Sequence, residues 1–277
     1  MNELQFSNED DSPAEPVPDV SGLYHKMRID HPDTFISQLT GITAPWQAAW
    51  GVTRPWFRGM PRLSFSLEPS LLRYRPRRLV ATESNLRNQF QQYAVRLLDK
   101  PPASQIDLLT IMQHHGVPTR LLDWSENAFA ALYFAVKEHQ FLKDAEDAVV
   151  WVLDPLRLAE LQHSRRYIPF WDDQLLSSPR LPIPLYPRHM STRLTPQRAA
   201  FTIHPFGNQH SLMNLALQEV REGRLSPLRA LVIQGDKRTI IRDAMLNALG
   251  SGEFTFFPDL DGLGRELRMR EGLEGRG

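Results

Sequence analysis

The sequence predicts an α+β protein built on a mixed sheet with flanking helices. Three observations carry that prediction. Apolar residues recur at helical spacing, as in Thr82–Leu98, where Leu86, Phe90, Tyr93 and Leu97 share a face. Short apolar runs rich in β-branched residues, such as Ala148–Leu153 (AVVWVL), read as buried strands. The composition, 42% hydrophobic and 23% charged over 277 residues, is that of a globular chain long enough to bury a core.

Residues 1–22 carry Glu3, Glu9, Asp10, Asp11, Glu15 and Asp19 with no Lys or Arg, and read as a mobile acidic tail. A single domain is expected over 23–268, with 269–277 fraying after it. Asp33–Leu39 predicts a short helix. Thr82 is placed to cap the helix over Thr82–Leu98. Ile106–His115 predicts another, closed by Gly116 and followed by Pro118. Asn127–His139 is apolar all round and reads as a buried helix, with Asp123 or Ser125 as its cap.

Ala148–Leu153, Ala199–His204 and Leu228–Gln234 are expected strands. Residues 161–196 are rich in proline and arginine and poor in periodicity, which predicts a long insertion. Ser211–Glu222 and Lys237–Leu249 predict helices, the second ending at Gly250. Phe254–Phe257 reads as a last strand, and Pro258–Gly262 as a turn capping the final helix.

Several function classes are excluded. Lys+Arg and Asp+Glu are both 32, so the chain has no globally basic coat for nucleic acid, although a local patch is allowed. With no cysteine there is no thiolate nucleophile, disulfide or Cys-ligated zinc. No apolar stretch reaches the roughly 18 residues of a membrane span, and the N-terminal residues lack a basic and then apolar signal pattern. A cytoplasmic protein without a membrane partner is expected. His114 and His115 are adjacent, without the i,i+4 spacing that puts two ligands on one helix face, so no metal is expected. No P-loop, GxSxG or GxGxxG in its strand–helix context is present.

The chemistry-bearing residues concentrate in a few motifs. Trp56-Phe57-Arg58-Gly59 is followed by Pro69-Ser70-Leu71-Leu72-Arg73. Gln113-His114-His115-Gly116-Val117-Pro118-Thr119-Arg120-Leu121-Leu122-Asp123-Trp124 comes next, then Ala131-Leu132-Tyr133-Phe134-Ala135, and Phe257–Leu263 near the end. In this order the motifs resemble the FRG-domain family, over about Trp56 to Leu267. The resemblance implies an α+β domain. Phe57-Arg58-Gly59 and Tyr133-Phe134 are also similar to motifs of mono-ADP-ribosyltransferases. That similarity implies an ADP-ribosyltransferase-like core acting on NAD or a related nucleotide. It fits a toxin, an effector or a phage-defence component. The position of the family's acid falls on Gln197.

Cleaving a nicotinamide–ribose bond builds positive charge on the ribose, so a carboxylate or amide oxygen helps there. A guanidinium holds phosphate by paired hydrogen bonds. The catalytic candidates are therefore Arg58, Gln197 and Asp123. The nucleotide-binding candidates are Arg58, Gly59, Gln113, His114, Arg120 and Tyr133. Bland readings stand beside these. Arg58 is equally a buried arginine paired with an acid such as Asp123. Arg120 and Asp123, three apart, can form an internal ion pair bracing a turn. Tyr133 sits in an apolar helix, where core packing comes first. The alternative to an enzyme is a module that binds or senses a nucleotide or nucleic acid. The acceptor of an enzyme can be protein or nucleic acid. The run Arg73-Tyr74-Arg75-Pro76-Arg77-Arg78 is either a solvated loop or a track for a phosphate backbone.

Overall fold

The computed structural model describes residues 21–24, 28–51, 54–94, 96–98, 100–137, 146–163, 168, 179–186, 199–206, 211–256 and 258–273. The expected tail over 1–22 falls outside them save for its last two residues, as does most of the insertion over 161–196. Among the described residues, six strands make one sheet. They are β1 (Trp56–Met60), β2 (Leu121–Ser125), β3 (Ala148–Leu153), β4 (Ile183–Leu185), β5 (Ala199–Ile203) and β6 (Leu228–Ile233), in the order β4-β5-β2-β1-β3-β6. Every strand pair is antiparallel. Parallel bridges from Tyr24 to Ala230 and from Ile29 to Ile233 cover the β6 edge. The class is α+β, as the sequence predicts.

Alternation along the strands sorts the core onto two faces. Phe57, Val150, Val152, Leu231 and Ile233 look one way. They meet the helices α1 (Pro32–Trp50), α5 (Ala128–Val136) and α8 (Arg238–Asn247). Trp56, Met60, Leu122, Trp124, Trp151 and Leu228 look the other way, toward α7 (Leu212–Arg221) and Leu158 of α6 (Pro155–His163). A third cluster packs α4 (Gln105–His114) against Leu121, Phe201 and Ile203. β2 and β3 are joined by α5, which crosses over β1. It lies so close that a Cβ on Gly59 would stand 1.7 Å from the carbonyl oxygen of Ala131. Glycine at 59 is therefore what lets the helix backbone rest on the strand.

Several expectations are corrected. The short helix over Asp33–Leu39 extends through Pro45 to Trp50, because Phe35, Ile42 and Trp46 form a buried stripe that outweighs the breaker. The helix expected from Thr82 begins at Leu79, as α3 (Leu79–Ala94). Leu86 and Phe90 pack inward, but Tyr93 and Leu97 are solvent-exposed. The cap of α5 is Asn127, whose side chain accepts from Phe129 and Ala130 backbone N–H groups, and not Asp123 or Ser125. Those two belong to β2, a strand read from sequence as a turn.

Within the expected insertion, α6 reaches His163 and Ile183–Leu185 forms an edge strand. Of the strand expected over Phe254–Phe257, the described residues Phe254–Phe256 are not a strand, and Phe257 lies outside the described residues. Glu253–Phe256 is a short helix, α9, because the β6 edge is already bridged and the segment is tied instead to α10 (Leu260–Arg270). The Phe254 amide donates to Glu266 Oε2 at 2.7 Å.

Candidate functional site

Two motif segments are knitted together ahead of β2. The Leu71 amide donates to the Thr119 carbonyl at 3.1 Å, and the Thr119 amide to Ser70 Oγ at 3.4 Å. This sets α2 (Ser70–Arg73) over the start of β2. Thr119 also donates its hydroxyl to Gln113 Oε1 and accepts the Leu121 amide at 3.2 Å. Gln113 thus fixes the connection from α4 into β2.

Beyond that connection the sheet opens. β1 pairs with β3 from Trp56 to Met60, and β2 with β5 from Leu121 to Ser125. β1 and β2 meet at the single pair Phe57 and Ser125. Arg58 stands where their backbone pairing has stopped. Its Nη1 donates to the Asp123 main-chain carbonyl at 2.8 Å and lies 3.7 Å from Asp123 Oδ2. The Asp123 side chain is 56% exposed and that of Arg58 23%. Arg58 Nε is buried and finds no hydrogen-bond partner among the described residues. Burial pulls the Arg58 pKa below the ordinary guanidinium value, and Asp123 opposes it while Arg73 adds to it.

His204 follows β5 on the same side. Its amide donates to the Arg120 carbonyl at 3.0 Å, which extends the β2–β5 ladder by one pair. Its Nε2 lies 3.0 Å from Thr202 Oγ1, which accepts from Trp124 Nε1 at 3.0 Å. Burial first, then the charges of Arg58 and Arg120, push the His204 pKa down to about 3. The ring is a neutral imidazole at pH 7. No motif pointed to His204. Its one sequence signal was a histidine closing an apolar strand.

Arg120 is buried, and its partner is not Asp123. Its Nε donates to Glu83 Oε1 of α3 at 3.1 Å, its Nη1 reaches the His204 carbonyl at 3.3 Å, and the Phe206 ring covers it at 4.2 Å. The expected Arg120–Asp123 brace is absent because residues three apart on an extended strand leave on opposite faces. Burial raises the Glu83 pKa, with Arg120 and Arg87 opposing. It lowers that of Arg120, with Glu83 opposing.

Of the sequence candidates, Arg58 and Asp123 come together, and Arg120 stands beside them through His204. Gly59 and Tyr133 belong to the α5 face: Gly59 seats the helix, and the buried Tyr133 hydroxyl donates to Glu253 while its ring packs on Phe256. Arg58, one residue before Gly59, leaves the strand on the other face. His114 is exposed at the end of α4, edge-to-face with His115 at 5.2 Å. Gln197 lies outside the described residues. Among the described residues no three of His, Asp and Glu are grouped to hold a metal, and no helix is long and apolar enough to cross a membrane.

Arg58 therefore keeps one buried donor to spare, with the uncharged His204 imidazole on its own face of the sheet and the solvated Asp123 carboxylate 3.7 Å away.

Among known protein families, the FRG domain model matches residues 53–144. The match takes in Arg58, Gln113, Arg120, Asp123 and Tyr133. No curated protein and no solved structure matches the chain.

Proposed function

The chain carries an FRG domain, and on that footing we propose that it binds NAD or a related nucleotide in the notch between β1 and β2 and transfers or releases its ADP-ribose. The observation that supports this reading most is the spare buried Nε of Arg58, beside a second arginine, Arg73, and a histidine that stays neutral. A pyrophosphate offers the charge and the paired acceptors that a guanidinium fork takes. Asp123 stands 3.7 Å from the same fork with its carboxylate in solvent, where it can face a ribose.

In the reaction the C1′–nicotinamide bond breaks and nicotinamide leaves with the bonding pair. The ribosyl cation is stabilised by the Asp123 carboxylate. Water or an acceptor nucleophile supplies the new bond, and its proton passes to solvent. Such an activity suits a toxin, an effector or a phage-defence component working in the cytoplasm, where NAD is available.

The exposure of Asp123 favours a second reading, nucleotide sensing without cleavage, because a solvated carboxylate stabilises a cation less than a desolvated one. Incubation with NAD labelled in the adenylate half, with and without cell lysate, separates the two. Nicotinamide release or label transfer that is lost in Arg58→Ala supports the enzyme. Binding without either product supports the sensor. Neither binding nor product would sink both.

A further inference from the structure

Apart from Arg73, whose charge is felt at Arg58, the basic segment between α2 and α3 is not used by the notch, and it has features of its own. From residue 69 to 82 the chain has four arginines and no Asp or Glu, although acids and bases balance over the whole sequence. Glu83, the next acid in the sequence, is buried on Arg120. Arg73, Arg75, Arg77 and Arg78 are all exposed. Tyr74 among them is 73% exposed. Arg75 holds φ at +45°, a left-handed conformation that glycine or asparagine adopts at lower cost. The turn is fixed: the Arg75 amide donates to the Leu72 carbonyl at 3.1 Å, and the Arg73 guanidinium donates to the Glu68 carbonyl. α2 is in turn bound to Thr119 at the entrance to β2.

We propose that this turn binds single-stranded nucleic acid, with Arg75, Arg77 and Arg78 on consecutive phosphates and Tyr74 stacked on a base. An aromatic ring set between solvent-exposed cations offers what a single strand presents, alternating charge and π-faces. A duplex hides its base faces, and the run is too short to fill a groove. The site does not depend on NAD being the ligand of the notch. Because α2 sits over the start of β2, a strand held here lies beside the notch, which gives the domain a polymer to act on or to sense.

The test is fluorescence anisotropy of the full chain with a labelled 20-residue oligo-dT, between 50 and 200 mM salt. Binding should weaken with salt, by a slope of roughly 0.7 per phosphate contact. The variant R75A/R77A/R78A should lose at least about tenfold in affinity, and its slope should shrink by about two units. Y74A should lose affinity at unchanged slope. Circular dichroism should show all variants folded, since every substituted side chain is exposed. Equal affinity for duplex of the same length, or equal competition by polyglutamate, would overturn the proposal, the latter in favour of an acidic protein partner. So would binding that ignores salt or survives the triple substitution. Arg58→Ala, read separately by NAD titration, tells a failure of the notch from a failure of the turn.

Discussion

Arg58 donates to the Asp123 carbonyl at 2.8 Å across the line where β1 and β2 part. A side chain thus does at this point what the backbone ladder does elsewhere in the sheet. The sheet stays continuous there, and the buried Arg58 Nε is left without a hydrogen-bond partner among the described residues. Under the proposed function, stability and nucleotide binding are coupled at Arg58, and its substitution should affect both.

Arg58→Lys keeps the charge but loses the fork. We expect a modest fall in Tm and a weakening of NAD affinity by at least tenfold, since a lost charge-assisted hydrogen bond costs roughly 1.5–3 kcal/mol. Calorimetric titration of the variant with NAD checks this.

Gly59→Ala tests the packing of α5. The added Cβ would fall 1.7 Å from the Ala131 carbonyl oxygen, a backbone atom that moves only if the helix moves. The expected loss is about 3 kcal/mol or more, or a Tm drop of about 6–12 °C. A variant as stable as the parent in a thermal melt would show that α5 does not rest on β1 here.

Arg120 and Glu83 form a buried pair. Removing one partner leaves the other charge uncompensated, so Glu83→Gln or Arg120→Met alone should cost about 3–5 kcal/mol. The double variant should recover much of that loss. Urea melts of the four proteins give the cycle.

His204 fixes a pH dependence. Its pKa is depressed from 6.5 to about 3 in the folded chain, so the unfolded state binds the proton first as pH falls. Its contribution to stability is present above about pH 6.5 and is lost progressively down to about pH 3. Glu83, with its raised pKa, acts in the opposite sense and is shared by both proteins in the comparison. Melts of the parent and of His204→Asn across this range should diverge, with the parent losing more stability.

Much of the fold was legible because its signals were local. The β3 run AVVWVL, the Gly116 and Gly250 helix ends and the Asp259 cap all appear as read. What was missed depended on distant partners. β2 is a strand because β5 pairs with it, and its sequence, LLDWS, was read instead as a turn. α1 runs past Pro45 because Trp46 reaches the Ser226 carbonyl at 3.1 Å. At the site, Arg58 and Asp123 were readable as a pair. Arg120 was given the wrong acid, since Glu83 is far away in sequence. His204 went unnoticed because only folding brings it beside two arginines.

The most direct test of nucleotide binding at Arg58 is calorimetric titration of NAD into the parent and into Arg58→Gln at one salt concentration. Saturable, single-site binding to the parent is expected, with an affinity at least tenfold lower in the variant and both proteins folded. Equal affinity in the two would contradict the placement of the nucleotide between β1 and β2, and no binding to the parent would contradict the nucleotide itself.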